Sequence, residues 1–224
     1  MTAVLTDYFA TVLGRFFFEY PKRHVGRIHE RFAAVSTLFL SDLAAKYPAY
    51  SGRQPADREL VEMIQLDPCL EAVLLYRVER SLFLDDPDDP LLPYLAALMR
   101  LKTGIELYYS TEIGPGLNVM HGVGVVVGPR YRIGRNFIIN HGATVGQSGA
   151  HEPESVIIGD NVRIFAGAKV IGGVRIGDNV HIGANAVLID DAESNSVYLG
   201  VPARKVRDLY HDFDVVPSPA LVVL

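Results

Sequence analysis

The sequence predicts an α+β chain in which an N-terminal α-helical domain is followed by a left-handed parallel β-helix built from hexapeptide repeats. Two observations carry this. An aliphatic residue returns at every sixth position through Ile158, Ile164, Val170, Ile176, Ile182 and Leu188. The first hundred residues instead space their apolar side chains by three and four, as helices buried on one face require.

In the helical domain, residues 1–104, Val4, Leu5, Tyr8, Phe9, Val12, Leu13 and Phe16 form one apolar stripe, and Ile28, Phe32, Val35, Phe39 and Leu43 a second. Asp67-Pro68 is an N-cap with a first-turn proline for a helix carrying Leu74, Leu75, Val78 and Leu82. Asp89-Pro90 repeats that signal ahead of Leu91 to Met99. The acidic run Asp85-Asp86-Pro87-Asp88-Asp89 between them is expected to be a solvated loop.

From 105 to 207 the period changes to six, which suits neither a helix nor one alternating strand and describes a short strand plus a corner, repeated. Three such units make one triangular coil of roughly 18 residues. The aliphatic residue points into the prism, and a small or branched one four places later fills the second inward position: Val162, Ala168, Val174, Val180 and Ala186. Gly159, Gly177 and Gly183, with Asp160-Asn161 and Asp178-Asn179, are expected to supply the corner conformations. The frame runs upstream through Ile113, Val119, Val127, Ile133, Ile139 and Val145. Val119 to Val127 carries an excess of two residues, which reads as a bulge. Gly146 to Val156 reads as a loop extruded from a corner. Residues 208–224 form a tail ending Ala220-Leu221-Val222-Val223-Leu224.

A net charge of −5, with no clustered Lys and Arg, argues against nucleic acid as a partner. Phe16-Phe17-Phe18 is too short, and too soon followed by Glu19 and Pro21, for a signal peptide or membrane span. The single cysteine, Cys69, excludes an internal disulfide framework and fits a cytoplasmic protein.

One segment goes beyond architecture: Met120-His121-Gly122-Val123-Gly124-Val125-Val126-Val127-Gly128, at the point where the repeat is disturbed. With Leu66-Asp67-Pro68-Cys69 and Gly200-Val201-Pro202-Ala203-Arg204, it resembles the serine acetyltransferases over about residues 57 to 207. The resemblance implies an acyl-CoA-dependent O-acyltransferase, acetyl-CoA being the donor, acting on a small hydroxylated acceptor. It makes His121 the general base, with Glu106, fifteen residues earlier where the family usually has Asp, orienting the imidazole. An alcohol is a weak nucleophile at neutral pH, so a base must take its proton as it attacks the thioester and return it to the leaving sulfur. Glycines beside the histidine offer backbone N–H groups for the oxyanion.

The resemblance further implies that the pantetheine arm runs between two subunits along Gly146, Ala166 and Ala184, with Arg204 and Lys205 near the nucleotide phosphates. A homotrimer, extended to a dimer of trimers by the helical domain, is the assembly it implies. Asp67 is both a helix cap and the candidate contact for a substrate ammonium. Met120 stands where the family commonly has a second Asp, and Glu154-Ser155-Val156 stands where it has the Arg-His-Pro that binds substrate carboxylate, leaving His151 as the alternative in that loop.

Asn140-His141-Gly142-Ala143-Thr144-Val145-Gly146 is similar instead to a segment of hexapeptide sugar O-acetyltransferases, a second acceptor class. His121 and His141 each lie two places after an inward aliphatic, Val119 and Ile139, so they are expected to stack one strand spacing, roughly 4.8 Å, apart. His141 reads equally as a catalytic group and as a neighbour supporting one. A γ-type carbonic anhydrase-like metalloprotein, drawing on His121, His141 and His151, is a remote alternative, and no metal site is expected.

Overall fold

The computed structural model describes residues 2–147 and 156–209. Helices come first: α1 (Thr2–Phe16), α2 (Val25–Lys46), α3 (Asp57–Leu66), α4 (Pro68–Asp85) and α5 (Leu92–Thr103). The predicted stripes bury Leu5, Phe9, Val12 and Leu13 on α1 and Ile28, Phe32, Val35, Phe39 and Leu43 on α2, while Val4 and Phe16, flanking the first stripe, stay exposed. Helix α4 is buried on all sides from Cys69 to Glu79, because α2, α3 and α5 all pack against it.

Two expectations in this half need correction. The helix after Asp89-Pro90 begins at Leu92 with Pro93 in its first turn, and Asp89 Oδ1 accepts the Leu91 N–H in the turn ahead of it. The acidic run is not merely solvated. Arg27 of α2 pairs with Asp85 at 2.8 Å and Asp89 at 2.5 Å, and Arg31 pairs with Asp85 at 2.6 Å. Two arginines one helical turn apart gather the run onto α2 and so fix the α4–α5 connection.

The chain then winds into three parallel sheets, one per face of a prism. The first holds β1 (Glu106–Leu107), β4 (Val126–Val127), β7 (Thr144–Gly146), β10 (Lys169–Ile171) and β13 (Val187–Leu188). The second holds β2 (Glu112–Ile113), β5 (Arg132–Ile133), β8 (Ile157–Ile158) and β11 (Arg175–Ile176). The third holds β3 (Asn118–Met120), β6 (Ile138–Asn140), β9 (Arg163–Ile164), β12 (Val180–Ile182) and β14 (Ser196–Leu199), with β15 (Arg204–Asp208) turning back antiparallel onto β14. Strand β15 thus takes in Asp208, assigned above to the tail, whereas residues 210–224 lie outside the described residues.

Every aliphatic residue of the six-residue frame, from Ile113 to Leu188, is buried, as are all five second-position residues. Asn161 and Asn179 adopt left-handed backbone (φ 57° and 56°) and form a side-chain ladder with Asn136 and Asn195 through hydrogen bonds of 2.8–2.9 Å. The glycines serve differently from expectation. Gly159 and Gly177 are not left-handed; each lies so close to the next coil's backbone that a Cβ would overlap it. Closeness of coils, rather than turn chirality, selects glycine there.

The helices cap the first coil, whose strand edges would otherwise be open to another chain. Arg77 of α4 donates to both carboxylate oxygens of Asp42 on α2 (2.8 and 3.0 Å) and to the carbonyls of Ile113 and Gly114. Asp42 Oδ1 also accepts the N–H groups of Gly116 and Leu117. This buried pair is saturated with hydrogen bonds, the condition under which an ion pair can be held away from water.

Candidate active site

The two extra residues between Val119 and Val127 lie in the corner after β3, not in a bulged strand. There His121 takes a left-handed conformation (φ 56°), followed by Gly124 at φ 75°. Gly122 is required between them, since a Cβ would run into the Ile105 and Val119 side chains. The His121 imidazole stands exposed on the outer edge of this enlarged corner.

Met120 pairs with Asn140 across the coils, which stacks His121 over His141 as the spacing predicts. Their rings meet edge-on, centroids 6.1 Å apart. Hydrogen bonds from Gly167 N–H to the His141 carbonyl and from Asn185 N–H to the Ala166 carbonyl continue the column, so His121, His141, Ala166 and Ala184 form one ladder down a single corner.

Helix α4 starts against this corner. Asp67 caps it by accepting the Cys69 N–H at 2.9 Å, and the buried Cys69 Sγ accepts the Gly122 N–H at 3.2 Å. The second Asp67 oxygen accepts from Tyr47 Oη at 2.8 Å and lies 3.3 Å from Lys46 Nζ, which donates to the Val119 carbonyl. Desolvation raises the Tyr47 hydroxyl's pKa and the Asp67 hydrogen bond adds to it, so Tyr47 remains a donor. Asp67 is therefore fully bonded within the chain, as cap and as partner of Lys46. The glycine N–H groups expected to face an oxyanion are engaged too: Gly122 with Cys69, and Gly124 with the Gly104 carbonyl.

Glu106 lies on β1, above Val126, with its carboxylate 3.4 Å from Arg100 of α5. It is not hydrogen-bonded to His121 among the described residues. Glu106 and Arg100 line a cavity of about 220 Å³ with Tyr108 and Tyr109. Behind them the Glu79 side chain is fully buried with neither oxygen bonded, and burial pushes its carboxyl well above the ordinary glutamate range.

Of the donor-site residues, Ala166 and Ala184 share the ladder, but Gly146 ends β7 at the far edge of the first face. Arg204 pairs with Asp190 at 2.9 Å, and Lys205 with Glu193 and Asp208 at 2.9 and 2.7 Å. His151, and Glu154-Ser155 in the extruded loop, lie outside the described residues.

The sequence reading missed Arg163. It projects from β9 on the third face, its Nη2 3.9 Å from Met120 Sδ and its guanidinium 4.6 Å from the Phe165 ring centroid. The outward position was legible from the repeat, since Val162 and Ile164 face in, but its reach past one coil to Met120 was not.

Known proteins similar to this chain share its fold. A family model described as bacterial transferase hexapeptide (six repeats) matches residues 155–190. A serine acetyltransferase of Helicobacter pylori is 36% identical over 172 residues, covering 74% of this chain and 96% of that protein. One of Synechocystis is 38% identical over 173 residues, covering 75% and 68%. Among solved structures, a Neisseria gonorrhoeae serine acetyltransferase superposes with a TM-score of 0.78 at 28% identity, covering 96% of this chain and 82% of that one. The same enzyme in complex with serine gives a TM-score of 0.72 at 29% identity, covering 88% and 81%.

Proposed function

Because the chain belongs to the serine acetyltransferase family, an acyltransferase family, we propose that it moves the acetyl group of acetyl-CoA onto the hydroxyl of L-serine with His121 as general base. The observation carrying this reading is the enlarged corner, which presents an exposed imidazole at the head of a ladder of small residues, Ala166 and Ala184, suited to an extended thioester arm.

His121 takes the hydroxyl proton as the oxygen attacks the thioester carbonyl. The tetrahedral intermediate then collapses, the C–S bond breaks, and the imidazolium returns the proton to the CoA sulfur. Glu106 stabilises that imidazolium after exchanging its Arg100 contact for the ring, an exchange that costs little because the contact is long and partly exposed. His141, edge-on to His121, supports the ring's orientation. Asp67, already bonded, holds the start of α4 and through Cys69 the His121 corner.

The working unit in this reading is a homotrimer. Gly146 and the ladder occupy opposite edges of one face, so a pantetheine arm lying on the ladder meets Gly146 only from a neighbouring subunit. Thiol release from acetyl-CoA, measured with L-serine, an amino sugar and no acceptor, tests the assignment. L-serine-dependent release supports it, and release with the amino sugar alone overturns it in favour of a sugar O-acetyltransferase.

A further inference from the structure

Arg163 is a half-buried guanidinium that forms no ion pair among the described residues. Its Nε is buried with no hydrogen-bond partner, and its nearest polar contact is the weakly accepting Met120 sulfur at 3.9 Å. The Phe165 ring under the guanidinium, 4.6 Å away at its centroid, holds the plane in place. Asn140 lies opposite Met120 in the strand register, and its Oδ1 is also buried and unbonded. A donor and an acceptor are thus both left unpaired on the patch next to His121, where burial makes an unmet hydrogen bond costly.

We propose that Arg163 is the residue that receives the carboxylate of the acceptor, and that Asn140 takes a hydrogen bond from the same molecule. This rests on the functional reading above and deepens it. A planar guanidinium fixed on an aromatic ring matches a carboxylate in two parallel hydrogen bonds. Its head lies against the side chain of the residue preceding His121, a placement that suits the carboxylate of a small hydroxy or amino acid whose hydroxyl meets the imidazole. It does not suit the phosphates of the donor, at the far end of the pantetheine arm.

The test compares L-serine with its methyl ester and with ethanolamine in the unmutated protein, Arg163→Met and Arg163→Lys, following thiol release, with CoA affinity measured by calorimetry. The expected result is at least a tenfold preference for L-serine over the ester in the unmutated protein. Arg163→Met should erase that preference through KM, Arg163→Lys should keep part of it, and CoA affinity should not change. Preference for L-serine unaltered in Arg163→Met, an equal loss on all three acceptors, or a parallel loss of CoA affinity would overturn the inference while leaving the reaction class intact. If Arg163→Met fails to fold, the same comparison is read from Arg163→Lys. Absence of turnover with every hydroxylated acceptor in the unmutated protein would instead refute the functional reading itself.

Discussion

Cys69 Sγ accepts the Gly122 N–H at 3.2 Å, joining the first turn of α4 directly to the corner that carries His121. The helical domain therefore sets the position of the imidazole as well as closing the β-helix end. Cys69→Ala leaves that buried N–H without a partner, an expected loss of about 1–3 kcal/mol. Turnover should fall several-fold with the corner's displacement, and Cys69→Ser should recover most of both. Urea midpoints and kcat on the three proteins decide this; an unaffected Cys69→Ala would show the contact to be incidental.

His121→Ala should lower kcat by roughly 10²- to 10⁴-fold, the usual contribution of a general base, while CoA binding and the melting temperature hold. Glu106→Gln should cost less, since its carboxylate must first leave Arg100. Near-normal turnover in His121→Ala would transfer the role to His141.

Glu79 makes stability depend on pH. The unfolded chain releases this proton near its ordinary value of about 4.5, and the folded state only at higher pH, because burial disfavours the carboxylate. Between those values the native state binds more protons, so stability declines as pH rises through the window and is level below it. Glu79→Gln should remove the decline. Denaturant titrations from pH 4 to 8 that show equal slopes for both proteins would rule this out.

Breaking the buried Asp42–Arg77 pair should cost much of the stability of the fold. Asp42→Ala strands a buried guanidinium and two backbone N–H groups, an expected loss of about 3–5 kcal/mol. A melting temperature within a degree of the unmutated protein would contradict it.

Met120→Asp looks from sequence like the restoration of an ammonium contact. With Arg163 3.9 Å from the Met120 sulfur, the new carboxylate would pair with that guanidinium instead. The expected outcome is an approximately tenfold higher KM for L-serine, and a lowered KM would show that the two side chains act separately.

The hexapeptide period, the helical stripes and the Asp67 cap were legible in the sequence because each is local: a period of six or 3.6 and a cap two residues from its donor depend only on neighbours along the chain. Stacking of His121 over His141 followed as well, because register in a β-helix is arithmetic on coil length. What the sequence could not supply were the partners of side chains brought together across coils and domains. Asp67 is occupied by Tyr47 and Lys46, Arg27 and Arg31 gather the acidic run, Glu106 lies on Arg100, and Arg163 reaches Met120. Long charged side chains choose among many partners within reach, and that choice is fixed only when helices and coils are packed in three dimensions. The tertiary structure alone therefore decided which of the candidate residues remain free to meet a substrate.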